Sequence, residues 1–140
     1  MKVGRNKNAI IVKEYILDIA TVQVFDDYIV AVYNEGCTVT LERAFQIIGI
    51  SEIHFRDKPF GFISLRKNSY ALDPTIYNYV RELDNLKAYA IVSVKEMDMH
   101  NFTIEKMFYK KPMKFFIDYN NALTWVKKKV KASKKASKKK

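Results

Sequence analysis

The segment Asp73-Pro74-Thr75 is the part of this sequence whose residue types most directly suggest chemistry. Aspartate at a helix N-cap accepts a hydrogen bond from a free backbone N–H, and proline at the first helical position has no N–H to leave unpaired. These two residues are therefore sufficient as the start of a helix. The alternative is that the Thr75 hydroxyl is modified, because a phosphate there would meet the positive end of the helix dipole and add about −1.5 to −2 charges.

The other chemically versatile residues form no pattern typical of a metal site or an enzyme. His54 and His100 lie in separate segments, and Cys37 is the single cysteine, whereas a zinc site needs three or four ligands brought together. The four glycines are too scattered for a phosphate-binding loop, and no serine lies in a Gly-x-Ser-x-Gly turn. We therefore expect no metal, no cofactor, no catalytic residue and no enzymatic activity.

The positive charge is concentrated at the carboxyl end. The formal net charge is +10, yet the segment KKKVKASKKASKKK at 127–140 holds nine lysines and no acidic residue, so the rest of the chain is close to neutral. Such a run binds RNA, DNA or an anionic membrane surface with little sequence preference. The alternative is a tail without a dedicated partner. The candidate anion-binding residues are Lys127, Lys128, Lys129, Lys131, Lys134, Lys135, Lys138, Lys139 and Lys140.

Length and composition indicate one folded domain. A chain of 140 residues that is 49% hydrophobic can bury a real core. No apolar run approaches the ~20 residues that span a bilayer, and the basic N-terminal segment lacks a signal-peptide pattern. Together with the single cysteine, this predicts a cytoplasmic protein without a transmembrane segment. We predict an N-terminal arm at 1–14, a domain at 15–130 and a basic disordered tail at 131–140.

The elements that must position these residues follow from the hydrophobic periodicity. Residues 19–25 and 28–33 alternate as a β-hairpin, a helix capped by Thr40 follows, and residues 60–65 are an interior strand. Strands and helices then alternate to a last helix capped by Asn120 or Asn121. Helical crossovers imply parallel strands. The sequence therefore predicts an α/β fold with a mixed, mostly parallel sheet, an N-terminal hairpin at its edge and about four helices.

Two segments, YILDIATVQVFDDYIVAVYNEGCTVTLERA and MKFFIDYNNALTWVKK, resemble the STAS-like (SpoIIAA-like) small bacterial domains, in particular an uncharacterised group from Bacteroidetes. The resemblance covers residues 15–130 by the order of elements. In regulatory members of that family, a kinase partner phosphorylates a serine in an Asp-Ser-Ser-Gly-like turn. By position, Asp73 matches the acid of that turn and Thr75 its phosphoacceptor, although Pro74 and Ile76 depart from the motif.

The resemblance implies a non-enzymatic protein-interaction or regulatory domain, with an unknown protein partner or a homodimer. One alternative is a lipid or small-molecule carrier related to the STAS and SEC14-like folds, which would need a pocket between helices and sheet. A second alternative is a nucleic-acid accessory protein that acts through the lysine-rich tail.

Overall fold

A six-stranded sheet runs through the computed structural model, which describes residues 10–138. Its strands are β1 (Lys13–Ile16), β2 (Ala20–Val24), β3 (Tyr28–Tyr33), β5 (Phe60–Leu65), β7 (Leu86–Val92) and β8 (Met113–Phe116), in that spatial order. Strands β1 to β3 are antiparallel, and β3, β5, β7 and β8 are parallel. A small parallel pair, β4 (Thr38–Val39) and β6 (Ala71–Leu72), lies outside this sheet. The predicted α/β class with a mostly parallel mixed sheet and an N-terminal hairpin is confirmed.

Four α-helices cover the sheet: α1 (Leu41–Phe55), α2 (Tyr77–Val80), α3 (Glu96–Tyr109) and α4 (Tyr119–Lys138). Apolar side chains of α1, α2 and α3 share one buried cluster with one face of the sheet, whereas α4 forms a second cluster with the opposite face. The alternation of side chains along each strand separates the two clusters, since Phe62 faces the first and Ile63 the second.

Two local predictions were too simple. The helix expected after Asp73-Pro74 is a 3-10 turn (Pro74–Ile76) followed by one turn of α2, and beyond Arg81 the backbone N–H groups of Glu82 and Leu83 bond only three residues back. This tighter turn ends the helix before β7 begins. The cap of α4 is Asp118, whose carboxylate accepts from Asn120 N at 3.1 Å, rather than Asn120 or Asn121.

The two predicted domain boundaries also differ from the structure. Lys13 and Glu14, assigned to the N-terminal arm, pair with β2 in the sheet, while the remainder of that arm at 1–9 lies outside the described residues. The segment predicted as a disordered tail continues α4 as helix to Lys138, and Lys139 and Lys140 lie outside the described residues.

Candidate binding cleft at the carboxyl edge of the sheet

A cleft of about 300 Å³ lies beyond the carboxyl ends of β5 and β7. The residue that follows β5, Arg66, forms its base, the chain entering and leaving β6 forms one wall, and α3 forms the other. It is lined by Arg66, Tyr70, Ala71, Leu72, Pro74, Asp98, Asn101, Ile104 and Glu105. Ligand sites of open α/β sheets lie outside the carboxyl ends of the strands, and this volume is at the lower end of the range for small-molecule pockets.

A buried ion pair between Arg66 and Glu105 forms the base of this cleft, although the two residues are far apart in sequence. Arg66 Nη1 donates to Glu105 Oε2 at 2.8 Å, and Arg66 Nη2 donates to Glu105 Oε1 at 2.6 Å. Each residue is only 4% exposed. Burial alone would lower the pKa of Arg66, but its hydrogen bonds to the carboxylate raise that pKa above its usual value. The guanidinium is therefore charged, fixed in orientation and shielded from water.

Tyrosine side chains surround the ion pair. The Tyr77 hydroxyl donates to Glu105 Oε1 at 2.5 Å and lies 3.4 Å from the Tyr89 hydroxyl. Burial raises the pKa of Tyr89 to about 12 and holds that of Tyr77 well above its usual value, so both phenols are neutral at physiological pH. Tyr109 packs edge-on or tilted against both rings. A neutral Tyr77 hydroxyl is a donor, which is the hydrogen-bonding role that a carboxylate requires of a neighbour.

Tyr70 connects this cluster to the cleft. The guanidinium carbon of Arg66 lies 5.6 Å from the centre of the Tyr70 ring, a cation–π distance. The Tyr70 hydroxyl is buried, and it makes no hydrogen bond of standard geometry to any described residue. Burial raises its pKa as well, so it offers a neutral O–H group. A buried hydroxyl without a partner is costly, and the nearest group that can interact with it is the buried hydroxyl of Ser64 on β5.

The α3 wall of the cleft is polar because residues spaced by three and four positions share one helix face. Asp98, Asn101 and Glu105 have this spacing and line the cleft together. The Ser93 hydroxyl, at the end of β7, donates to Asp98 Oδ2 at 2.6 Å and accepts from Lys95 N at 3.0 Å. Ser93 thereby fixes both the start of α3 and the orientation of the Asp98 carboxylate.

A second cavity, between α1, α2 and the sheet, differs in size and chemistry. Its volume is about 40 Å³, and apolar side chains such as Ile47, Phe62 and Leu86 line most of it. A cavity of this volume has room for very few water-sized molecules. It cannot hold an acyl chain without rearrangement of the core.

The predicted phosphoacceptor Thr75 lies next to the cleft in the chain but outside its lining. Its hydroxyl donates to Asp73 Oδ1 at 2.8 Å, and its backbone N–H donates to the same oxygen at 3.0 Å. These bonds lower the pKa of Asp73, which is therefore ionised at neutral pH. Asp73 does act as the predicted cap, and Pro74 is the first residue of the 3-10 turn. Thr75 is exposed, and its phosphorylation stays a prediction.

The remaining residues considered for chemistry are dispersed. The Tyr15 hydroxyl lies 2.7 Å from His54 Nε2, His100 is exposed on α3, and the thiol of Cys37 lies 3.7 Å from the Ile19 carbonyl oxygen. Within residues 10–138, no three histidine, cysteine or carboxylate side chains are close enough to hold a metal ion. No helix in that range is both long and apolar enough to cross a membrane.

Sequence reasoning missed the residues that define this cleft. Arg66 and Glu105 are separated by 38 intervening positions, and each resembles an ordinary surface charge in its own segment. One local signal was present: Arg66 directly follows an uninterrupted apolar strand, at the end where α/β proteins place functional side chains. Its partner could be identified only once α3 was placed.

Comparison of the chain with protein-family models, with curated proteins and with solved structures found no match.

Proposed function

We propose that this protein is a non-enzymatic STAS-like regulatory domain that binds a small polar molecule in the carboxyl-edge cleft. The observation that carries the proposal is the cleft of about 300 Å³ whose base is the buried Arg66–Glu105 pair. A charged pair at this depth is expensive to desolvate, and replacing such pairs by apolar residues often leaves stability unchanged or improves it. Its position at a ligand-sized opening therefore favours a role in recognition.

The polar groups of the cleft are arranged for binding more than for catalysis. Glu105 is held by three hydrogen bonds, two from Arg66 and one from Tyr77, so it is not placed to exchange a proton with a substrate. The Ser93 hydroxyl is occupied by the start of α3. Nucleophilic catalysis requires a hydroxyl or thiol next to a base that can accept its proton, and these groups serve the fold instead.

The chemistry of the lining indicates a ligand with a polar and an apolar side. Asp98 and Asn101 present polar atoms on the α3 wall, whereas Leu72 and Pro74 present apolar surface on the opposite wall. The volume favours a molecule of a few to about twenty non-hydrogen atoms over a lipid. Of the alternatives considered from the sequence, small-molecule binding is thus better supported than lipid transport. A protein partner that responds to the bound ligand remains part of the regulatory proposal.

Thermal unfolding and amide NMR spectra recorded with a collection of small polar metabolites test this function. A ligand present at about 100 times its Kd stabilises the folded state by about 2.7 kcal/mol and should shift the resonances of the residues that line the cleft. The compound should be recovered unchanged, because the proposal includes no turnover.

Two variants of α3 provide the control. Asn101→Trp places a bulky side chain at the exposed mouth of the cleft and should abolish the stabilisation. Met107→Trp adds the same side chain to the same helix at an exposed residue outside the lining, and it should leave binding unchanged. Equal stabilisation of both variants would place the ligand elsewhere, and a collection without any ligand would contradict the proposed function.

A further inference from the structure

The carboxyl half of α4 carries an arrangement of charge that the proposed function does not use. Four lysines with exposed side chains, Lys127, Lys131, Lys134 and Lys135, follow one another at intervals of four, three and one residues. Residues with this spacing lie on one side of an α-helix. We call these four residues the lysine face. From Lys127 to Lys135 the helix rises about 12 Å, so the face presents a dense row of positive charge.

The other side of α4 holds the helix against the domain. Ala122, Val126 and Val130 are fully buried against the sheet. Gly61 on β5 lies under this contact, and a Cβ there would collide with Val126. The lysine face also begins on the domain, because Lys127 Nζ lies 6.0 Å from the centre of the Tyr28 ring. The lysines are therefore carried by a helix that is packed on the domain up to Val130 and continues from there.

We propose that the lysine face binds the phosphodiester backbone of double-stranded nucleic acid without sequence preference. A duplex carries about one negative charge per 1.7 Å of helix axis, and lysines that neutralise its phosphates release condensed counterions. The helix from Tyr119 to Lys138 contains no acidic residue that would weaken this attraction. The lysine ammonium group is a compact positive charge that suits contacts with phosphates, and such contacts do not depend on the base sequence.

The same helix is poorly suited to a membrane surface. Interfacial helices insert an apolar face below the lipid headgroups. The large apolar side chains of the carboxyl half of α4, Val126 and Val130, are buried against the sheet instead. The other exposed residues in this part of the helix are Lys128, Lys129, Ala132 and Ala136, none of which is a large apolar residue. A protein partner is also less favoured, because lysine is depleted at protein–protein interfaces.

The salt dependence of binding to a short DNA duplex of mixed sequence measures the number of phosphate contacts. Four contacts predict a slope of about −3.6 for log K against log salt concentration. The affinity of the full chain should therefore fall roughly a hundredfold between about 50 and 200 mM salt. Vesicles of phosphatidylserine and phosphatidylcholine at the same salt concentrations should bind more weakly.

A charge-matched pair of double variants separates the lysine face from general positive charge. Lys131→Gln with Lys134→Gln leaves two lysines on the face, whereas Lys106→Gln with Lys114→Gln removes the same charge from exposed positions on the rest of the domain. In the first variant the slope should fall to about −1.8, and the loss over the same salt range to roughly tenfold. The second variant should keep the slope of the unchanged protein.

Three results would overturn this inference. The first is no duplex binding at about 50 mM salt, and the second is vesicle binding as tight as duplex binding. The third is an equal slope in the two double variants, which would mean that positive charge anywhere on the chain suffices. Circular dichroism checks that the face variant keeps its helix.

Discussion

Replacement of Glu105 by leucine tests whether the base of the cleft is held by the buried ion pair. The substitution removes both carboxylate oxygens that accept from Arg66 and also the acceptor of the Tyr77 hydroxyl. Leucine occupies a similar volume, so the main change is electrostatic. The Arg66 side chain, 4% exposed, would keep its charge without a carboxylate partner.

The structure sets the expected size of this effect. Removing one partner of a buried pair costs about 3–5 kcal/mol, because the remaining charge is uncompensated. The same substitution leaves the buried Tyr77 hydroxyl without its acceptor. We therefore expect a total decrease of about 4 kcal/mol in the free energy of unfolding. In the double variant Arg66→Met with Glu105→Leu no charge is left buried. The decrease should then be about 1–2 kcal/mol, which reflects the Tyr77 hydroxyl and imperfect packing.

Urea unfolding followed by circular dichroism measures these differences, with equal m-values as the check that one transition is compared. Glu52→Leu removes an exposed carboxylate of α1 and should change stability by no more than about 0.5 kcal/mol. The ion-pair explanation is refuted if Glu105→Leu lowers the free energy of unfolding by less than about 1 kcal/mol. It is also refuted if the decrease in the double variant equals the sum of the decreases in Glu105→Leu and Arg66→Met. If Glu105→Leu does not fold, folding of the double variant would still show that the unpaired charge of Arg66 causes the loss of stability.

Three further predictions concern other parts of the domain. Gly61→Ala should lower the free energy of unfolding in urea by about 1–3 kcal/mol, because its Cβ would collide with Val126. Gly49→Ala should be neutral or stabilising, because a Cβ there meets no neighbouring side chain within 4 Å. Equal effects of the two substitutions would contradict the close packing of α4 on β5. Burial raises the pKa of Tyr89 to about 12 from about 10 in the unfolded chain. Its neutral form therefore adds stability that is complete below about pH 10 and is lost as the pH rises to about 12, in total about 2–3 kcal/mol; Tyr89→Phe should flatten the fall of unfolding free energy in this window, and an unchanged slope would argue against it. Incubation with labelled ATP and an extract of the source cell should label Thr75, whose side chain is exposed; as much label in Thr75→Val as in the unchanged protein would contradict that role.

Local sequence patterns predicted much of the fold because they report which side of each element is buried. The hairpin of β2 and β3 and the strand β5 were predicted from their alternation or continuous apolarity, and the helix α1 from its spacing and the cap Thr40. The patterns were less informative where tertiary contacts override local preference. β1 has mostly exposed residues and owes its structure to pairing with β2, and the turn after Val80 shortens α2 because the chain must return to β7.

The candidate site was less accessible to sequence reasoning than the fold. Asp73 could be recognised as a cap because a cap acts within three residues of itself. Asp98 and Asn101 belong to the same helix as Glu105, yet the periodicity of α3 is weak and does not distinguish their face from the side that exposes Met97 and Met107. A cleft exists only between elements, so its lining has no signature in any one of them.

The sequence by itself determined the α/β order, the hairpin, the cap at Asp73 and the separation of a near-neutral domain from a lysine-rich end, because each depends on neighbours within one or two turns of chain. The tertiary structure decided that Arg66 meets Glu105, that Tyr77 donates to that carboxylate and that α4 buries Val126 and Val130 and leaves its lysines exposed. Those relations depend on which strand lies beside which and on which face a helix buries. Such choices follow from the packing of the whole core, and no local pattern encodes them.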